Sequence, residues 1–238
     1  MMKKIAAPFL LMLILLSSCL KDPDPVPETI DTYHYYYNYL LEPYGIQWEL
    51  DDEILASGHD YGIPAQAVVT LDQTEQVLLI QARDSESGLL LDSLSYLMIE
   101  NHAYVIAILG NEEEPHLLCG PLDIRPPSMG LVKLRFLHTA PAMGPVDIYV
   151  GGDLIEHKVL SGVDYTTFSE YIETTEEKLW ESLIVTPTNI LPVDSTILSY
   201  TVNSIFRSGW SYLCAIGHTD NTIESAYQIV VDDQPINY

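Results

Sequence analysis

Three residues late in the chain have the types and spacing for acid–base chemistry: Arg135, His138 and Asp147. A carboxylate that bonds one imidazole nitrogen orients the ring, and histidine moves protons near neutral pH. No serine or cysteine stands near them as a nucleophile. The reading of these residues is therefore structural: His138 and Asp147 bond backbone groups where a strand bends into a loop, because buried polar groups take local partners. The seven histidines, His34, His59, His102, His116, His138, His157 and His218, are isolated and form no metal-binding spacing. Loop acids at Asp51-Asp52-Glu53, Asp220-Asn221 and Asp232-Asp233 are donors of the kind calcium takes, but they fit no calcium-loop pattern and read as turns. No metal and no cofactor is expected.

Aromatic residues suggest a second chemistry. The chain holds 16 tyrosines. Aromatic faces stack on sugars, and the tyrosine hydroxyl adds a hydrogen bond. Tyr36, Tyr44, Trp48 and Tyr61 are the candidate ligand contacts, on condition that Tyr36, Tyr44 and Tyr61 form an exposed row. Asp92-Ser93-Leu94 and Asp194-Ser195-Thr196 resemble a short O-glycosylation acceptor, which makes Ser93 and Ser195 candidate modification sites.

A third chemistry concerns the N-terminus. Lys3 and Lys4 precede an apolar run, Ile5–Leu16, which is followed by Ser17-Ser18-Cys19. The run falls short of the roughly 20 residues a membrane-spanning helix needs. Leu16-Ser17-Ser18-Cys19 resembles a bacterial lipobox, so residues 1–18 read as a lipoprotein signal peptide and Cys19 as the lipidated N-terminus. Several acyl chains then anchor the protein stably to a membrane. Residues 19–30, with three prolines, read as the lipidated cysteine and a spacer. The expected location is the outer membrane of a Gram-negative cell, extending to the cell surface. Cys119 and Cys214 are then the only cysteines left, either paired in an oxidising compartment or standing as small buried hydrophobes.

Charge narrows the partners. The formal net charge is −24, from 10 lysines and arginines against 34 acids. Such a chain repels phosphates, which excludes nucleic acid as an expected partner. Nearly half the residues are apolar, enough to bury real cores.

The elements that must position these residues are strands. Apolar periodicity is two: Tyr33, Tyr35, Tyr37 and Tyr39 share one face, and Ile46–Leu50 and Val146–Val150 alternate. Residues 77–82, 104–109, 133–137, 183–186, 210–216 and 226–231 are further strand candidates, divided by Gly, Asp and Asn turns. A turn or two of helix is expected only at 174–182. The pattern also repeats. Ile46–Leu55 aligns with Val146–Ile155, each read as a tight hairpin; Leu94–Tyr96 aligns with Leu198–Tyr200, and Ala103–Ala107 with Ser211–Ala215. The predicted fold is all-β, with two tandem immunoglobulin-like antiparallel sandwiches at 31–125 and 126–238 and a stiff Pro126-Pro127 junction between them.

The segment Leu134–Val150 resembles the extracytoplasmic domain-of-unknown-function family numbered 4397, through Arg135, His138, Pro141, Val146, Asp147, Tyr149 and Gly151. The first repeat has Tyr35, Asn38 and Gln47 at the corresponding places and looks like a diverged copy. The resemblance implies an immunoglobulin-like sandwich, often in tandem and often on lipoproteins, with no established activity. The expected function is a non-enzymatic envelope lipoprotein, a surface-exposed binding or structural module for a protein or glycan. The alternatives are a fimbrial subunit or anchor assembling by strand donation, a glycan-binding protein, and last a hydrolase.

Overall fold

A computed structural model describes residues 30–41, 45–111, 113–193, 198–200, 206–218 and 227–234. The signal-peptide, Cys19 and spacer readings, Tyr44 and Ser195 therefore lie outside the described residues. The described residues fold into sixteen strands in four four-stranded sheets. The first eight strands are β1 (Asp31–Leu40), β2 (Ile46–Leu50), β3 (Glu53–His59), β4 (Ala65–Thr70), β5 (Glu75–Asp84), β6 (Leu90–Ile99), β7 (Ala103–Gly110) and β8 (Pro115–Leu122). The second eight are β9 (Val132–His138), β10 (Val146–Val150), β11 (Lys158–Val163), β12 (Ile172–Thr174), β13 (Leu183–Pro187), β14 (Leu198–Tyr200), β15 (Ser211–His218) and β16 (Tyr227–Gln234). A short helix, α1 (Glu176–Glu181), precedes β13 and is capped by the Thr175 hydroxyl.

The sheet orders are β4-β1-β7-β8 and β3-β2-β5-β6 in the first half. In the second they are β12-β9-β15-β16 and β11-β10-β13-β14, which is the same order with eight added to every strand. The aligned sequence segments fall on equivalent strands: β2 with β10, β6 with β14, β7 with β15. Each half is a sandwich with its own core. Trp48, Ile80 and Ile106 lie in the first, and Phe136, Ile148 and Phe206 in the second.

Two features differ from expectation. Each sandwich contains one parallel pair, β1 with β7 and β9 with β15. A parallel pair needs a long crossover, and the five intervening strands supply it. The second expected hairpin is also absent. Asp51 and Asp52, with φ of 46° and 68°, close β2 onto β3 in a tight turn. After β10, by contrast, the Gly151 N–H continues the ladder by bonding the Ser182 carbonyl, and Gly152 makes room for the His157 ring. The chain then passes through a 3₁₀ turn at Ile155–His157 before β11 begins.

The two sandwiches share a third apolar layer. Tyr35, Tyr37, Tyr39, Val105 and Leu109 on one sheet meet Leu137, Leu213 and Ala215 on the other. Even-numbered residues of β1, such as Tyr36 and Leu40, point into the first core, while the odd-numbered tyrosines point into this layer. Both faces of the strand are therefore buried, and the tyrosine face leaves no exposed row.

Candidate functional site

The Arg135, His138 and Asp147 side chains do not converge. His138 sits at the end of β9 and is fully buried. Its Nε2 donates to the Gly144 carbonyl at 2.8 Å, and its Nδ1 accepts the Ala140 N–H at 3.3 Å. Those partners fix a neutral ring protonated at Nε2. Burial lowers its pKa, and the bond to Gly144 recovers part of the loss. The first repeat shows what this residue does. Asn38, at the matching end of β1, accepts the Leu40 N–H at 3.0 Å through Oδ1 and donates to the His59 carbonyl at 2.9 Å. An amide and an imidazole thus tie the same strand end to the chain two residues on.

Asp147, on β10, is also fully buried. One oxygen accepts from Lys158 Nζ at 2.6 Å and from the Asn189 N–H at 3.1 Å. The other accepts from the Ser161 hydroxyl and the Gly162 N–H, both at 2.9 Å. Burial opposes the charge, but Lys158 and the three other donors outweigh it, and the carboxyl stays below its ordinary range. Tyr149 is buried beside it, with Lys158 Nζ 5.7 Å from the ring centre. This is a structural hub joining β10, β11 and the loop after β13.

The aromatic candidates are corrected by burial. Trp48 is completely enclosed in the first core, and Tyr36 is 1% exposed. Neither can touch a ligand. Tyr36 donates to His34 Nδ1 at 3.0 Å, His34 Nε2 donates to the Thr32 hydroxyl at 3.0 Å, and Thr32 donates to the Val69 carbonyl at 3.2 Å. Burial pulls the His34 pKa down to about 4 and pushes Tyr36 upward. Tyr61 is half-buried and clasps the two sandwiches: its hydroxyl donates to the His218 carbonyl and accepts the His218 N–H, both at 3.2 Å. The absence of a Gly217 side chain lets Tyr61 and Thr139 approach β15 there.

Cys119 and Cys214 are free, and they belong to the cores of different sandwiches. Burial pushes the Cys119 thiol up to about 12, and that of Cys214 higher still. Ser93 is exposed on β6, while Asp92 binds the Leu117 N–H at 2.7 Å. Among the described residues no group of three or more His, Cys, Asp or Glu side chains gathers as a metal site. No described helix is long and apolar enough to cross a membrane.

Among the described residues the sandwiches leave a concavity between them. A crevice of about 540 Å³ opens between the sandwiches, lined by Asn101–Ala103 and Pro121–Arg125 from the first half and by Arg135 and Ser169–Tyr171 from the second. Its position follows from the strand registers. Tyr61 closes the interface at the ends of β1 and β15, and the crevice lies where β7 and β9 begin. Arg135 reaches across it. Its Nε donates to the Ser169 carbonyl at 3.1 Å and its Nη1 to the Pro121 carbonyl at 2.6 Å. The guanidinium lies over Phe168 and Tyr171, 4.5 and 5.0 Å from their centres. Gly120 permits this, since a Cβ there would meet the Phe168 ring at 3.0 Å. Asp123 is held by Arg125 through two 2.8 Å bonds and by Lys133 at 3.2 Å, with Arg125 first among the causes that hold its carboxyl far below the usual range. The Tyr171 hydroxyl accepts the Asp123 N–H at 2.8 Å, so the junction is pinned as well as proline-stiffened. Arg135 was legible in the sequence; the crevice residues Asn101, Asp123 and Tyr171 were not, because nothing local marks residues that meet only when two sheets stack.

No protein-family model and no curated protein matches the chain. Among solved structures, the chain is similar to CBMbc, of family CBM26, from Eubacterium rectale Amy13K, in complex with maltoheptaose. That likeness has 11% identity and a TM-score of 0.26 over 86% of this chain and 97% of the other, and it bears on neither ligand nor activity.

Proposed function

We propose that the chain is an outer-membrane lipoprotein whose two fused sandwiches act as one stiff, non-enzymatic binding module, with the inter-sandwich crevice as its binding site. The observation that carries this reading is the shared tyrosine layer. It locks the sandwiches face to face and leaves a concave opening at one end with both apolar and polar walls. Ligand sites concentrate at such junctions. The non-catalytic part rests on how the acid–base residues are used. His138 and Asp147 each spend their polar atoms on separate structural partners. Membership of the second sandwich in family 4397 belongs to the same proposal, since its motif residues hold strand ends and the inter-sandwich contact. Nothing described favours strand donation: each half carries its own set of eight strands.

The address rests on Leu16-Ser17-Ser18-Cys19. Expressed in a Gram-negative host with labelled palmitate, the wild-type chain should incorporate label and fractionate with outer membrane. Cys19→Ala should lose the label and persist as precursor. Equal labelling of the two would overturn the anchoring.

A further inference from the structure

The chain carries only ten lysines and arginines against 34 acids, yet two of the ten, Arg125 and Arg135, line the crevice, and a third, Lys133, is buried behind it against Asp123. Arg125 and Lys133 are engaged with a carboxylate, both binding Asp123. Arg135 is different. Its described acceptors, the Ser169 and Pro121 carbonyls and the Tyr171 hydroxyl, are all neutral, so its charge meets no carboxylate ion pair among the described residues. Two aromatic rings and these hydrogen bonds hold its plane, and its five N–H groups leave others beyond those bonds. A pre-ordered guanidinium that lacks an anion suits a carboxylate, which it binds in two-point fashion. In a molecule whose net charge repels anions, this is a local exception built from both halves.

The rest of the lining narrows the class. Glu170, exposed at the rim, makes no described ion pair, and Asn101 stands opposite on the first half. A carboxylate and an amide accept hydrogen bonds from hydroxyls. Ala103, Leu122 and Ile124 provide an apolar wall. The volume is in the range of small-ligand sites. We propose that the crevice binds an acidic sugar, its carboxylate on Arg135 and its hydroxyls toward Asn101 and Glu170. This rests on the crevice being the binding site of the module and names its ligand class.

The test is titration of the folded, unlipidated chain, residues 20–238, with galacturonate, followed by calorimetry and by backbone amide shifts. Galactose, galacturonate methyl ester and acetate serve as comparison probes. Galacturonate should bind in a salt-sensitive way and move the Ser169–Tyr171 amides, while galactose and the ester bind roughly tenfold more weakly or not at all. Acetate should bind more weakly than galacturonate; equal affinity would show an anion site without sugar recognition and overturn the proposal. Arg135→Gln should abolish binding. Because Arg135 also supports the interface, His102→Trp is the second variant: it fills the mouth from an exposed position, and should block binding with the melting temperature unchanged. Equal binding of galactose and galacturonate, or galacturonate binding unaffected by either variant, would overturn the proposal. So would silence of the crevice amides at millimolar galacturonate. None of these outcomes touches the palmitate result, so the ligand class and the anchored-module reading fail separately.

Discussion

His138 and Asn38 are one solution written twice. Both stand at the end of the first strand of a sandwich, and both accept the N–H two residues on. The duplication therefore makes a forecast about substitution. His138→Asn should fold with a loss of roughly 1 kcal/mol or less, whereas His138→Leu strands the Ala140 N–H and the Gly144 carbonyl and should cost about 2–4 kcal/mol, as two unmet buried groups would. Chemical denaturation of the two variants compares them directly, and equal losses would refute the shared role. A neighbouring histidine sets a pH dependence. His34 stays neutral in the first core, with its pKa at about 4 against an ordinary 6.5. The unfolded chain takes the proton first, so stability is complete above about pH 6.5 and is lost as pH falls toward 4, by roughly 3 kcal/mol at most. His138 acts in the same direction. The carboxylates depressed below their ordinary values, Asp123 and Asp147, release stability only at lower pH. Unfolding free energies at pH 7 and 4.5 should differ in wild type and differ less in His34→Gln; an unchanged difference rules His34 out. At this scale the sequence exposed the residue types but not their partners. Arg135, His138 and Asp147 are visible as a polar set, yet only the folded backbone shows that each bonds something else.

Strands differ in how loudly their sequences speak. β2, β5, β7, β9, β10, β13 and β15 bury large apolar side chains at every second position or on both faces, and their period is plain. β4, β6, β8, β11, β12 and β14 are missing from the strand candidates, and β4 and β8 show why. β4 turns Ala65, Ala67 and Val69 inward and leaves Val68 exposed, which flattens the contrast between its faces. β8 contains Pro115, Gly120 and Pro121, residues that read as a break; as an edge strand it tolerates them, since one side of it needs no ladder donor. A feature shared by β7 and β15 also lies in the sequence, but its meaning does not. Tyr104 accepts the Ile99 N–H at 2.8 Å, and Tyr212 accepts the Arg207 N–H at 2.9 Å, each reaching back five residues. These are tyrosine corners of the kind found in immunoglobulin-type sandwiches. Tyr104→Phe and Tyr212→Phe keep the ring and orphan one N–H, so each should cost about 1–3 kcal/mol in denaturant unfolding, and the two losses should add because the corners lie in different sandwiches. A neutral result at either site would remove the corner from the list of what holds that strand.

At the scale of the whole molecule, the third apolar layer decides the behaviour. It was the part least legible in the sequence. A tyrosine on the outer face of a strand reads the same whether water or another sheet lies beyond it, so Tyr35, Tyr37 and Tyr39 suggested a half-exposed strand when both faces are covered. Burying that layer couples the two sandwiches energetically, because exposing either one uncovers aromatic and aliphatic surface on the other. The wild-type chain should therefore melt in one transition, with the calorimetric and van't Hoff enthalpies equal. Leu137 and Leu213 face the shared layer and belong to neither sandwich's own core. Leu137→Glu combined with Leu213→Glu places two charges between the sheets, a burial the interface cannot compensate. Each sandwich keeps its own core in that variant, so the cost falls on their association. The expected scan resolves into two transitions, and the Tyr61 hydroxyl loses its bonds to His218. A single transition with an unchanged denaturant slope would mean that the linker and flanking hydrogen bonds hold the sandwiches together without the tyrosine layer, and the stiff-module reading would lose its support.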